Sequence, residues 1–168
     1  MFNNRLKDCR EDLDLTQSEL GYMFGVSDSA VRSWENGHYT IPLPKLCKFC
    51  SMFDYSIDYV MGIIKRNIKY GSFSIDKLII SNRLKHVRRS LKLSQQELSL
   101  KCKIVQTTYS GYECGKYLIN TTNLYSLYKT FDISMDYLMG RKSSPKIIEK
   151  EEHVKNQWII FVHWFLLV

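Results

Sequence analysis

Cysteine and histidine are the residue types in this chain that could bind a metal or undergo redox chemistry. Cys47 and Cys50 form a CxxC pair, which is typical of zinc sites and of redox motifs. No second pair stands at a metal-ligand spacing, and the four histidines are scattered: His38, His86, His153 and His163. We therefore interpret Cys47 and Cys50 as small thiols buried on one face of a helix, and we expect no metal and no other cofactor.

Composition and the remaining motifs argue against catalysis and in favour of a polyanionic partner. No nucleophile beside a base, no paired carboxylates and no glycine-rich phosphate loop stand at working spacing, so we predict that the chain is not an enzyme. The formal net charge of +7 favours nucleic acid or an anionic membrane surface. Five cysteines are an odd number and no apolar signal region opens the chain, so we expect a reduced, cytoplasmic protein.

One long internal repeat organises the 168-residue sequence. Residues 4–62 match residues 82–140 without a gap: NRLK recurs as NRLK, and FDYSIDYVMG recurs as FDISMDYLMG. We therefore divide the chain into unit 1 (1–62), a partly helical linker (63–81), unit 2 (82–140) and a C-terminal tail (141–168).

Helix start signals divide each unit into five short helices. Thr16 and Ser94 are each followed three residues later by glutamate, which predicts a capping box at the start of the second helix. Ser27 can cap the third helix of unit 1. Apolar residues at helical spacing supply a core in each unit. In unit 2 we expect the core to contain Leu84, Leu91, Leu93, Leu98, Ile104, Tyr109, Tyr112, Leu124, Leu127 and Phe131.

Both units resemble the helix-turn-helix domain of phage repressor and Cro proteins, the XRE type. The resemblance is carried by LTQSELGYMFGVSDSAVRSWENG in unit 1 and by LSQQELSLKCKIVQTTYSGYECG in unit 2. The segments DYSIDYVMG and DISMDYLMG follow them. The resemblance implies an all-α fold with two tandem five-helix, lambda-repressor-like DNA-binding domains, joined by a short linker and followed by an apolar tail.

The same resemblance implies that the third helix of each unit enters the major groove of double-stranded DNA. The implied contacts are Gln17, Ser27, Asp28, Ser29, Arg32, Ser33, Asn36 and His38 in unit 1, and Gln95, Val105, Gln106, Thr107, Ser110, Gly111 and Lys116 in unit 2. Gln106 can grip an adenine edge, Thr107 can touch a thymine methyl group, and Asp28 can accept from cytosine N4. The alternative is that these polar side chains are simply solvated.

Other residues have framework roles in the resemblance. Gln17 and Gln95 open the second helix, where backbone amides suit a phosphate, and would fix the register on DNA. Two internal ion pairs are implied: Arg10 with Glu35, and Arg88 with Glu113. We expect Trp34 and Tyr112 to point into the core.

Unit 2 departs from the pattern of unit 1 at the third helix. Val105 takes the place of the capping Ser27, and Lys103 takes the place of Gly25 in the turn. Val105 forfeits a cap, although it could pack against a thymine methyl group instead. Lys103 has to tolerate a conformation that glycine reaches more easily.

Charge is distributed unequally between the units. Unit 1 has six Lys and Arg against nine Asp and Glu, whereas unit 2 has nine against four. Phosphate neutralisation supplies much of the affinity for DNA, so unit 2 is expected to be the main anchor. Unit 1 either reads a second, weaker half-site or serves as a protein-contact module.

The linker and the tail set the expected reach and assembly of the chain. A flexible 19-residue linker would span about 24 Å, as an upper bound on its freedom, so one chain could occupy two half-sites, and a homo-oligomer is possible but not required. Residues 158–168 are apolar except for His163 and too short to cross a membrane. We expect residues 156–168 to dock on unit 2, on a partner protein or second copy, or on a membrane surface.

These observations predict a sequence-specific transcriptional regulator, repressor-like, that binds double-stranded DNA through both units. The alternative is a protein-interaction adaptor or antitoxin-like module, in which acidic unit 1 and the apolar tail bind protein. An anchor that spans a membrane is not expected.

Overall fold

The computed structural model describes residues 4–147, and the described residues form ten α-helices and no strand. Unit 1 contains α1 (Leu6–Glu11), α2 (Gln17–Phe24), α3 (Asp28–Glu35), α4 (Leu43–Met52) and α5 (Ile57–Val60). Unit 2 contains α6 (Lys77–Ser90), α7 (Gln95–Cys102), α8 (Gln106–Glu113), α9 (Thr121–Phe131) and α10 (Met135–Leu138). The predicted all-α architecture with five helices in each unit is confirmed. The expectations for residues 156–168 lie outside the described residues.

Short polar caps define where the helices begin. Thr16 and Ser94 form complete capping boxes with Glu19 and Glu97, as the sequence predicts. The hydroxyl group of Ser27 accepts a hydrogen bond from the backbone N–H of Ala30. Isolated helices this short are marginal in water, so capping alone does not stabilise them. Most of their stability comes from packing against the other helices.

Each unit buries its own apolar core. Leu20, Val31, Leu46 and Phe49 are fully buried in unit 1, and their counterparts Leu98, Tyr109, Leu124 and Leu127 are fully buried in unit 2. Trp34 and Tyr112 point inward, as expected. The core prediction is wrong for Leu91, which is 38% exposed because it caps the end of α6 just before a left-handed turn at Lys92. Within residues 4–147, no helix combines the length and the apolar character needed to cross a membrane.

The linker is fixed against unit 1 and does not have the freedom of a flexible chain. Asn67 accepts from the Ser56 N–H at 2.8 Å and donates to the Asp54 carbonyl at 3.1 Å. Gly71 N–H donates to the Asp54 carboxylate at 2.8 Å. Residues 77–81 belong to α6, so the last part of the linker is helical and continuous with the first helix of unit 2. The 24 Å span of a free linker is therefore not available.

The two units cap each other's last helix. The Asp136 carboxylate accepts from the Ser56 hydroxyl and from the backbone N–H groups of Ile57 and Asp58. In return, the Asp58 carboxylate accepts from the Ser134 hydroxyl and from the N–H groups of Met135 and Asp136. Both aspartates are buried. Each carboxyl group thus lies at the N-terminal end of a short helix in the other unit, where free N–H groups need an acceptor.

A second contact joins equivalent loops, residues 40–44 and 118–122, which line one cavity between the units. The Thr121 hydroxyl donates to the Ile41 carbonyl at 2.7 Å, and Thr122 donates to the Thr40 hydroxyl at 3.4 Å. Both interunit contacts bring the same segment of each repeat together. This is the arrangement of an isologous dimer, so the units are related by a pseudo-two-fold axis within one chain.

Arg141 adds contacts between the two units and the linker that have no equivalent at position 63, the matching position after unit 1, which is isoleucine. Its guanidinium group donates to the Tyr55 carbonyl at 2.7 Å, to the Asp136 carboxylate at 3.0 Å and to the Gly71 carbonyl at 3.2 Å. The same group lies 4.3 Å from the ring centroid of Phe73. Arg141 follows unit 2 directly, and it therefore ties the end of that unit to unit 1 and to the linker.

Candidate nucleic-acid interface

In each unit a left-handed residue sets the turn between the second and third helices. Gly25 ends α2 with φ 62° and ψ 43°, and Lys103 ends α7 with φ 55° and ψ 39°. The two turns therefore have the same conformation, although only one carries glycine. The strain that the sequence predicts at Lys103 falls on the turn that aims α8.

A buried carboxylate ties the third helix to the first and second. Arg10 pairs with Glu35 at 2.6 Å, and Arg88 pairs with Glu113 at 2.6 Å. Each arginine also donates to a backbone carbonyl, that of Leu15 or Leu93. Burial acts to raise the pKa of Glu113, but hydrogen bonds from Arg88 and Gln95 outweigh it and hold that pKa below its ordinary value.

The glutamines expected to contact phosphate are held by these same carboxylates. Gln17 Nε2 donates to Glu35 at 2.8 Å, and Gln95 Nε2 donates to Glu113 at 2.8 Å. An amide nitrogen carries two hydrogens, so each glutamine keeps a second N–H after this bond. The buried glutamate thus orients the side chain that stands at the start of the second helix.

In unit 1, α3 presents a polar surface on which the side chain of Arg32 already interacts with neighbouring side chains of the same unit. Ser27, Asp28, Ser29 and Arg32 are exposed, and Ser33 is half-buried. Arg32 lies 3.8 Å from the Asp28 carboxylate and donates to Gln17 Oε1 at 3.3 Å. A base or phosphate that approaches Arg32 therefore competes with acceptors of the chain itself.

In unit 2, α8 presents a more neutral surface. Val105 caps the helix without a side-chain hydrogen bond and is 68% exposed. Gln106 and Thr107 are exposed, and Ser110 is half-buried. Gly111, expected on the same surface, is buried beneath the ring of Tyr117.

Tyr117 is a surface residue that sequence reasoning missed. Its ring is 49% exposed and lies beside α8, in a cleft that it shares with Thr107, Ser110 and Lys116. The available signal was the glycine at position 111, where unit 1 has Ser33, followed by an aromatic residue six positions later. Outside the third helices, Asn36, His38 and Lys116 are exposed at or just after the helix ends.

The two third helices are arranged about the pseudo-two-fold axis. The chain leaves α3 through Gly37, which has φ 68°, and reaches the loop at 40–44 that contacts unit 2. It leaves α8 through Gly115, with φ 73°, and reaches the equivalent loop at 118–122. The C-terminal end of each third helix therefore leads toward the axis.

The buried cysteines contribute no reactive group to the interior. All five are free, and only Cys114 is exposed. Burial raises the pKa of Cys9 and of Cys47 to about 12 and raises that of Cys50 as well, so these thiols stay protonated at neutral pH. Among residues 4–147, no three His, Cys, Asp or Glu side chains are grouped so as to hold a metal ion.

Comparison with known proteins identifies both units. A family model described as "Helix-turn-helix" matches residues 6–60, and one described as "Helix-turn-helix domain" matches residues 81–144. The chain therefore carries two helix-turn-helix domains in tandem, one in each unit. The resemblance inferred from the sequence is thereby confirmed for both units.

Two curated proteins of Bacillus subtilis (strain 168) are similar to this tandem helix-turn-helix protein. The uncharacterized HTH-type transcriptional regulator YqaE is 34% identical over 79 residues, which are 44% of this chain and 63% of that protein. The uncharacterized HTH-type transcriptional regulator YobD is 32% identical over 63 residues, which are 38% of this chain and 56% of that protein. The chain thus spans less than two thirds of either relative. No solved structure matches it significantly.

Proposed function

We propose that this chain is a DNA-binding transcriptional regulator that places α3 and α8 in the major groove at two half-sites of one duplex. The observation that carries the proposal is the pseudo-two-fold pairing of two helix-turn-helix units within a single chain. Helix-turn-helix dimers bind half-sites that lie about one helical turn, roughly 34 to 36 Å, apart. One chain would supply both halves of such a reader, so a homo-oligomer is not needed.

The two half-sites of the proposal are unequal. Unit 2 is the basic unit, and α8 has no acidic residue among its exposed positions Gln106 and Thr107. Unit 1 is the acidic unit, and Asp28 stands at the start of α3, where it favours a donor such as cytosine N4. We therefore propose that unit 2 supplies most of the affinity and that unit 1 selects a different, more weakly held sequence.

Selection of bound sequences from a random pool of duplex DNA, with the full chain as bait, tests this proposal. We expect one asymmetric, two-part site per chain. Because the linker is fixed and the units are paired, inserting about five base pairs between the two parts, half a helical turn, lowers the affinity to that of one part alone. A single short half-site, or equal affinity at both spacings, would count against use of both units.

The proposal also covers whether the chain represses or activates transcription, and in which compartment it acts. A regulator that covers a two-part site within a promoter blocks access to it, so we propose repression, in the cytoplasm. A reporter gene with the selected site between its promoter elements measures the sign directly. Higher expression in the presence of the chain would identify an activator instead.

The acidic surface of unit 1 favours one alternative function, binding to a protein. In that case unit 1 serves as an adaptor, and only unit 2 contacts DNA. The selection experiment separates the two functions, since an adaptor yields only the half-site of unit 2. Purified chain that ignores every duplex at low ionic strength would remove the regulator proposal altogether.

A further inference from the structure

The aromatic ring of Tyr117, a residue that follows α8 in the chain, lies against the exposed face of that helix. Tyr117 shares one cleft with residues that follow helical spacing along α8: Thr107, Ser110, Gly111 and Cys114. The opposite face of the helix, with Tyr109, Tyr112 and Glu113, is buried in unit 2. The ring of Tyr117 therefore belongs to the surface that α8 would turn toward DNA.

Gly111 makes the position of this ring possible. A Cβ atom at residue 111 would lie 2.5 Å from Cδ2 and 2.9 Å from Cε2 of Tyr117, closer than side chains tolerate. The Tyr117 backbone N–H donates to the Gly111 carbonyl at 3.2 Å, which holds the loop against the helix. Unit 1 has the equivalent backbone bond, from the Tyr39 N–H to the Ser33 carbonyl at 3.3 Å, but Ser33 carries a side chain and Tyr39 is 72% exposed. The aromatic extension of the helix face is thus a property of unit 2.

We propose that Tyr117 determines specificity in unit 2, by packing its ring against the C5-methyl group of a thymine. That methyl group is the apolar feature of base edges in the major groove, and an aromatic ring beside Thr107 and Ser110 is a matching surface. The ring covers the C-terminal half of α8, which leads toward the pseudo-two-fold axis, so the thymine lies at the axis side of the half-site. The inference rests on the proposed function, because it requires α8 to lie in the major groove.

Neighbouring residues support this placement of the ring. Lys116 Nζ lies 5.1 Å from the ring centroid of Tyr117, so a cation that can pair with a DNA phosphate stands beside the ring. Val105, the other exposed apolar residue of this surface, lies at the N-terminal end of α8. A methyl contact by Val105 would therefore fall at the opposite end of the half-site and can be told apart from one by Tyr117.

Thymine-to-deoxyuridine replacement tests the proposal, because it removes one methyl group and leaves the hydrogen-bonding edge unchanged. The full chain is titrated against its selected site with each thymine of the unit 2 half replaced in turn. We expect an affinity loss of about fourfold at one thymine on the axis side, the effect of exposing one methyl-sized group. Tyr117→Ala abolishes that loss, and Tyr117→Phe retains it, because the ring makes the contact.

Two further variants control for folding and for general effects on affinity. Gly111→Ser copies the residue of unit 1, displaces the ring and abolishes the methyl effect while Tyr117 is still present; circular dichroism confirms that the helices remain. Tyr39→Ala, the matched change in unit 1, leaves the methyl effect intact. An unchanged methyl effect in Tyr117→Ala, or no methyl effect at any axis-side thymine, overturns the role of Tyr117. Failure to bind any duplex overturns the proposed function instead.

Discussion

Gln106 and Thr107 occupy the same positions in unit 2 that Asp28 and Ser29 occupy in unit 1. All four side chains are exposed, and none of them contributes to a core. Removing them should therefore change what the surface offers to DNA without a large change in stability. The repeat thus supplies a matched pair of variants for the two halves of one proposed site.

We predict that Gln106→Ala with Thr107→Ala relaxes the base preference of the unit 2 half-site and leaves nonspecific binding nearly intact. Each lost base-edge contact costs about 1 to 3 kcal/mol of discrimination, whereas phosphate contacts are unaffected. Competition binding with the selected and a scrambled duplex measures both quantities. Asp28→Ala with Ser29→Ala should relax only the unit 1 half and should raise nonspecific affinity, since it removes a negative charge. Equal loss of specific and nonspecific binding would indicate a folding defect.

Some residues of the candidate site could be predicted from the sequence and others could not. The capping role of Ser27 and the inward position of Trp34 follow from local spacing and were predicted. The ring of Tyr117 above Gly111 was not, because it depends on the path of a loop after the helix ends. Surface residues carried by loops have no periodicity from which their direction can be read.

At the scale of elements, α3 and α8 differ in how they begin. The Ser27 hydroxyl satisfies the Ala30 N–H, but Val105 offers no side-chain acceptor to α8. The first turn of α8 therefore leaves to solvent or DNA an N–H group that α3 satisfies internally. The helices themselves were predictable because their caps and apolar spacing are local signals.

We predict that Val105→Ser stabilises unit 2 by about 1 kcal/mol, because the new hydroxyl can cap α8 as Ser27 caps α3. Denaturant unfolding of the full chain, with the slope of the transition compared between variants, measures this change. Ser27→Ala is the matched control and should destabilise the chain by a similar amount. A destabilising Val105→Ser would mean that the valine side chain packs usefully in the free protein.

At the scale of the whole molecule, the relation between the units was the least predictable feature. The sequence displays SIDY and SMDY in equivalent positions, but nothing local shows that each aspartate caps the other unit's helix. That pairing joins residues nearly eighty positions apart and becomes visible only when the two folded units meet. The linker is less free than its upper bound for a related reason, since Arg141 binds the Tyr55 carbonyl, 86 positions away in the sequence.

The reciprocal caps place two carboxyl groups in one buried interface, and this gives the pairing of the units a pH dependence. Burial, and next the charge of Asp136, raise the pKa of Asp58 to about 7. Hydrogen bonds from Ser134 and Met135 and the charge of Lys142 oppose the rise without cancelling it. The pKa of an aspartate in the unfolded chain is about 3.9, so Asp58 binds a proton more readily in the folded chain than in the unfolded chain.

A group whose pKa is raised by folding contributes stability that is complete below its unfolded pKa and is lost as the pH rises through its folded pKa. We therefore predict that the contribution of Asp58 falls as the pH rises from about 5.5 through its folded pKa and is lost by about pH 8. Asp58→Asn removes the titration and keeps an acceptor oxygen for the α10 cap. The free energy of unfolding of the wild-type chain minus that of Asp58→Asn, measured in urea across this range, should decrease as the pH rises. A difference that stays constant or increases would show that Asp58 remains ionised throughout, held by the cap it provides.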